Sequence, residues 1–200
     1  MITPKVAIID TGGANLSSIT NVMSKLSCEY HITIDPDLIS KCTHVILPGV
    51  GSAKPIMERL NAHTLIPMIR ELKKPTIGIC LGMQILFNSS KEDNIDCIGI
   101  IDGTIEPLTA DLQTRVPHMG WNQIDTKDDP IYNNIQGSFF AYFAHSFHAK
   151  VNNYTIGTTF HGVSFSSVVK YKNFYGFQFH PEKSGEIGQT LLNNFLQIKL

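Results

Sequence analysis

The segment Gly78-Ile79-Cys80-Leu81-Gly82 constrains this chain more than any other. Before it, Pro75-Thr76-Ile77-Gly78-Ile79 reads as an apolar strand. After it, Leu81, Ile85 and Leu86 recur at helical spacing, with a stop near Asn88-Ser89-Ser90. A strand that passes straight into a helix must bend sharply at Cys80, and small neighbours such as Gly78 and Gly82 let the bend close. A cysteine at such an elbow is presented as a nucleophile. The N–H of Leu81 and the start of the helix lie beside the sulfur and favour the thiolate.

A nucleophile needs a base. Tyr175-Gly176-Phe177-Gln178-Phe179-His180-Pro181-Glu182 alternates apolar residues at strand period and ends in a histidine. His180 can take the thiol proton and return it to a leaving amine. Glu182, two residues on across a stiffening proline, can reach back and fix the imidazole tautomer. The candidate triad is therefore Cys80, His180 and Glu182, in that chain order.

A third segment, Leu47-Pro48-Gly49-Val50-Gly51, follows the strand-like Thr43-His44-Val45-Ile46. Together these three segments resemble the signatures of class I (triad-type) glutamine amidotransferases, and the resemblance runs from Asp10 to the C-terminus. It implies an oxyanion hole made by the N–H groups of Val50 and Leu81, with Gly49 and Gly51 allowing close approach of the backbone. It also implies a glutamine pocket at Gly49, Gly51 and Gln84, completed by His145, Ser146 and Phe147.

Val116-Pro117-His118-Met119-Gly120-Trp121-Asn122 and Tyr142-Phe143-Ala144-His145-Ser146 resemble one branch of that family. These are glutaminases that pass ammonia to a (β/α)₈-barrel cyclase in a 1:1 heterodimer, for the synthesis of imidazole glycerol phosphate in histidine biosynthesis. In that branch Asn15, Trp121, Tyr142 and Lys183 match positions facing the partner. For Trp121, packing in the core is an equal expectation, and for His118 and His145 a structural, hydrogen-bonded role is expected. One segment departs from the family pattern: Asp10-Thr11-Gly12-Gly13-Ala14-Asn15-Leu16 has Thr11 for an aromatic residue and Ala14 for a glycine. Its spacing fits neither a dinucleotide fingerprint nor a P-loop. A glutaminase subunit of another synthase, an independent cysteine hydrolase and a catalytically silent subunit remain open as alternatives.

Charge and composition exclude other classes. Sixteen Lys and Arg against 17 Asp and Glu leave a net charge of −1, so neither nucleic acid nor an anionic membrane is an expected partner. Cys28, Cys42, Cys80 and Cys97 form no C-x-x-C pair and the eight histidines show no metal-ligand spacing, so no metal or cofactor is expected. The first residues lack a signal-peptide layout, no apolar run reaches the ~20 residues that span a bilayer, and a reactive thiol suits a reducing compartment. A cytoplasmic protein is expected.

The first half alternates strands and helices. Val6-Ala7-Ile8-Ile9 reads as a strand buried on both faces; Leu16, Ile19, Met23 and Leu26 read as a helix; strands follow near 30–34 and 43–47; 61–72 reads as one helix. From about Ile98 short β pieces dominate, at 98–101, 139–143, 155–160, 164–169 and 174–179, before a last helix over 185–197. The expected fold is one α/β domain over 1–200: a central, mostly parallel sheet flanked by helices, with antiparallel strands added in the C-terminal half.

Overall fold

The structure, a computed structural model, describes residues 3–12 and 16–199. Strands β1 (Lys5–Ile9), β2 (Glu29–Thr33), β3 (His44–Gly49) and β4 (Thr76–Cys80) alternate with helices α1 (Leu16–Lys25), α2 (Pro36–Lys41), α3 (Ala53–Ala62) and α4 (Leu65–Glu71). A four-residue helix α5 (Leu81–Gln84) follows β4. Strands β5 (Phe87–Ser90), β6 (Ile95–Asp96), β7 (Ile101–Pro107), β8 (His118–Thr126), β9 (Phe139–His145), β10 (Phe147–Ala149), β11 (Thr155–His161), β12 (Val163–Tyr171) and β13 (Phe174–Phe177) precede the last helix, α6 (Gly185–Gln197).

The main sheet has nine strands in the order β2-β1-β3-β4-β13-β12-β11-β8-β9. From β2 to β13 the pairing is parallel; from β13 outward to β9 it is antiparallel. The base-bearing strand β13, though late in sequence, therefore lies directly beside the elbow strand β4. A smaller four-stranded sheet, β10-β7-β5-β6, packs to one side.

Alternation along the strands builds two cores. Val6 and Ile8 of β1 join Ile46, Ile77, Ile79 and Phe177 on one face, covered by Ile19 and Met23 of α1 and by Leu191 and Phe195 of α6. Ala7 and Ile9 join Val45 and Leu47 on the other, covered by Ile56, Leu60, Leu65 and Ile69 of α3 and α4. Each fully buried aliphatic side chain stabilises by about 1.5–3 kcal/mol, and together they hold the carboxyl ends of the neighbouring central strands β3, β4 and β13 side by side. Ligands in such sheets bind at the carboxyl ends of the strands.

Four expectations on local structure change. The helix expected over 61–72 is broken at Thr64, which adopts φ 54°, so that α3 and α4 are separate. Helix α3 begins earlier, at Ala53. The helical pattern after Cys80 stops at Gln84, and Phe87 enters β5. The apolar residues 98–101 form no strand before Ile101: the N–H groups of Ile98, Gly99 and Ile100 donate to carbonyls of Ile85, Phe87 and Leu86, so this run packs as a loop.

Candidate active site

Glycine packing sets the elbow. Gly49 of β3 is paired with Cys80 of β4. A Cβ on Gly49 would stand 2.8 Å from the Gly82 amide nitrogen, one on Gly78 2.4 Å from the Gly82 carbonyl, and one on Gly82 1.8 Å from the Leu47 carbonyl. These three backbones touch, and only glycine permits it. Cys80 itself sits at φ 53°, ψ −110°, a conformation costing about 1–3 kcal/mol that the surrounding sheet imposes. Because α5 is one short turn, the dipole support expected from a long helix is reduced to the local N–H groups.

Backbone bonds from β9 place the base. His180 lies just past the end of β13, and its N–H donates to the Tyr142 carbonyl at 2.9 Å. The Ser184 hydroxyl accepts from the Tyr142 N–H at 3.0 Å and donates to the His180 carbonyl at 2.7 Å. Pro181 opens a 3₁₀ turn that brings Glu182 back, and His180 Nδ1 donates to Glu182 Oε1 at 2.8 Å, both side chains being buried. Burial pushes the imidazole down; the Cys80 and Glu182 groups beside it outweigh this and raise it to about 10. The geometric hydrogen bonds of the sulfur run elsewhere: Sγ donates to the Ala144 carbonyl at 3.8 Å and accepts from Gln178 Nε2 at 3.9 Å.

A cavity of about 330 Å³ opens over the sulfur, lined by Val50, Gly51, Cys80, Leu81, Gln84, Glu92, His145, Ser146, Phe147, His180 and Lys183 with Pro117, Met119 and Ala144. Of the sequence candidates, Gly49 and Glu182 stand behind this wall: Gly49 supports the elbow, and Glu182 backs His180. Gln84 donates through Nε2 to the Phe147 carbonyl (2.9 Å) and to Gln178 Oε1 (3.0 Å), which leaves its own Oε1 for the cavity. His145 is neutral, pushed down to about 3 by burial, and donates from Nδ1 to the Phe147 carbonyl at 2.8 Å. Its Nε2 accepts from His118 Nδ1 at 2.9 Å. His118 is likewise pushed down to about 4, by burial and by His161. The two histidines form a structural, hydrogen-bonded pair.

Glu92 belongs to no motif in the sequence. In the fold its Oε2 accepts from the Ala53 N–H at 3.1 Å, and burial raises its carboxyl above the usual range. It lines the same cavity as the Cys80 thiol. Among the described residues no group of three His, Cys, Asp or Glu could hold a metal ion, and no helix is long and apolar enough to cross a membrane.

On the outer face of β8 and β9, Trp121 pairs with Tyr142, their rings edge-on at 6.3 Å, and the Lys183 ammonium lies 5.8 Å from the Tyr142 ring centre. Trp121 is 57% exposed beside exposed Met119 and Phe140, so core packing does not hold it. Thr11 is buried, and its hydroxyl has no partner among the described residues. Asn15, the fourth candidate for a partner face, lies outside the described residues.

The family model for glutamine amidotransferase class-I matches residues 7–198, and the chain belongs to that family. The likeness then narrows. The chain is 45% identical over 195 residues to the imidazole glycerol phosphate synthase subunit HisH 2 of Legionella pneumophila, covering 97% of this chain and 98% of that one. It is 44% identical over 195 residues to the HisH subunit of Buchnera aphidicola subsp. Schizaphis graminum (96% and 99% covered), and 40% identical over 205 residues to that of Vibrio cholerae (98% and 100%). Among solved structures, a glutamine amidotransferase superposes with a TM-score of 0.74 at 15% identity, over 96% of this chain and 97% of that one. Another, from Thermotoga maritima, gives 0.65 at 13%, over 98% and 83%. At such identities these two speak to the fold alone.

Proposed function

We propose that this chain is the glutaminase subunit of an imidazole glycerol phosphate synthase, a single glutamine amidotransferase domain over residues 1–200 that hydrolyses L-glutamine through a Cys80–His180–Glu182 triad. The observation that carries the triad is the buried 2.8 Å contact of His180 with Glu182, behind the wall of the cavity that His180 and Cys80 both line.

The Cys80 thiolate attacks the side-chain carboxamide carbon, and the carbonyl electrons move to oxygen. The N–H groups of Val50 and Leu81 receive that oxyanion; one such donor contributes about 10²–10³ in rate. His180 gives its proton to the departing nitrogen, the C–N bond breaks, and ammonia leaves a glutamyl thioester. His180 then takes a proton from water as the water oxygen bonds to the thioester carbon; the tetrahedral adduct collapses, the C–S bond breaks, and glutamate is released with the Cys80 thiolate and the protonated His180 restored. Glu182 holds the ring in the tautomer this needs. Gln84 and Glu92 receive the substrate's ammonium, and the 145–147 segment its amino acid end.

The cluster of exposed Trp121, half-buried Tyr142 and exposed Lys183 is the face for a (β/α)₈-barrel cyclase, to which ammonia passes without release within a 1:1 heterodimer. A cytoplasmic location follows from the reactive thiol. The test is ammonia release from L-glutamine by the chain alone and with such a cyclase and its nucleotide ligand. A low basal rate that rises with the liganded cyclase is expected. A rate indifferent to the cyclase would assign the glutaminase to another synthase.

A further inference from the structure

We propose that Gln178 is a further catalytic residue, whose side-chain amide donates to the Cys80 sulfur and stabilises the thiolate; the inference rests on Cys80 being the nucleophile. Gln178 lies one residue past β13 and is wholly buried. Its backbone N–H donates to the Ser167 carbonyl at 2.9 Å, which holds it to β12.

The orientation of its amide is forced. Gln84 uses both hydrogens of Nε2, one on the Phe147 carbonyl (2.9 Å) and one on Gln178 Oε1 (3.0 Å). The Gln178 oxygen is thereby occupied, and its Nε2 is turned to Sγ at 3.9 Å. Turning the amide over would set two NH₂ groups against each other and an oxygen against sulfur. A dry amide N–H beside a thiolate makes a charge-assisted bond, about twice as strong as a neutral one. It also differs from His180 in kind. It carries no charge and exchanges no proton, so it acts on the attacking thiolate and again on the thiolate that leaves as the thioester breaks.

The other titratable groups around the sulfur are His180 with Glu182 behind it, His145, Glu92 and Lys183. Gln178→Met removes none of them and adds no charge, although it takes one acceptor from Gln84. Gln84 thus holds two walls together: the Phe147 carbonyl on the substrate side and the donor to the nucleophile on the other.

The test uses the full chain with Gln178→Met, which conserves volume, and Gln178→Glu, which conserves shape and adds charge. Alkylation of Cys80 by iodoacetamide is followed against pH, with the modified peptide identified by mass spectrometry. The pH of half-maximal rate is expected to rise by about one unit in Gln178→Met, a tenfold loss of thiolate, and further in Gln178→Glu. In Gln178→Met kcat falls about tenfold. An unchanged half-maximal pH in both variants overturns the proposal. In the unaltered protein, labelled with ¹⁵N-glutamine, the Gln178 side-chain amide signals must shift at the pH where Cys80 ionises. Their failure to do so overturns it even if neither variant folds. Cys80→Ala tests the underlying reading separately: ammonia release that survives that change removes the nucleophile itself, whereas its loss beside unaffected Gln178 variants removes only the role given to Gln178.

Discussion

Gly49 and Cys80 stand opposite each other in the parallel pairing of β3 with β4, and the α-carbon of Gly49 rests on the first turn after the nucleophile, where a Cβ would meet Gly82 N at 2.8 Å and Leu81 Cβ at 2.9 Å. The distance between the oxyanion loop and the thiol is therefore set by the absence of one methyl group. Gly49→Ala must push Val50 away from Cys80. The expected result is a drop in ammonia release of about 10²-fold and a loss of about 1–3 kcal/mol in denaturant stability from overpacking. Val50→Pro, which removes the N–H itself, should lower the rate with the cyclase present by a similar factor.

The imidazole of His180 is held high by Cys80 and Glu182 against its burial, to about 10 from 6.5. A base raised in this way contributes stability in full below about 6.5 and loses it as pH climbs toward the folded value. ¹³C-resolved NMR of the ring should show it protonated well above pH 6.5. In Glu182→Gln and in Cys80→Ala the transition should move down, since each removes a group that raises it. An unmoved transition in both would remove the coupling.

His118 and His145 behave in the opposite sense. Burial depresses both, to about 4 and about 3, so below about pH 6.5 the unfolded chain gains protons that the folded chain refuses. Stability should fall toward acid by up to about 1.4 kcal/mol per histidine per pH unit. Urea midpoints at pH 7 and 5.5 read this directly. His118→Gln, which can still donate to His145, should show a weaker acid loss than the unaltered chain.

Much of the site is legible in local residue types. The Gly78–Gly82 elbow, the His180-Pro181-Glu182 end and the 47–51 loop carry their geometry in the sequence, because small residues and a proline act on the backbone beside them. Val6–Ile9 announces a strand buried on both faces by its lack of polar alternation. What the residue pattern misses is decided by tertiary context. Leu81, Ile85 and Leu86 fit a helix, yet the chain leaves it at Gln84 to pair β5 with β7. Thr64 breaks a helix pattern with a positive φ that no residue type there foretells. Glu92 and the roles of Gln84 and Gln178 toward each other depend on contacts across long stretches of chain, and no spacing rule reaches that far.

Glu92 gives a further test of the pocket. Its carboxylate, raised by burial, is anchored at Oε2 to Ala53 N–H and lines the cavity. Glu92→Gln keeps the anchor and removes the charge. KM for glutamine should rise about tenfold, with a smaller effect on kcat. A change confined to kcat would place Glu92 outside the ammonium site.

Trp121 stands exposed against Tyr142, with Met119 and Phe140 beside it. Large aromatic residues in such patches dominate binding when covered. Trp121→Ala should weaken cyclase binding by about 2 kcal/mol by calorimetry and leave the melting temperature within a few degrees. Unchanged affinity would move the interface elsewhere.

The central claim is that the sulfur of Cys80 forms a covalent bond with the substrate. The most direct measurement is mass spectrometry of the chain, mixed with L-glutamine and cyclase and quenched in acid during turnover. The account predicts a glutamyl group on the Cys80 peptide, absent in Cys80→Ala along with ammonia release. Ammonia release with no glutamyl group on that peptide, or release that persists in Cys80→Ala, would contradict it.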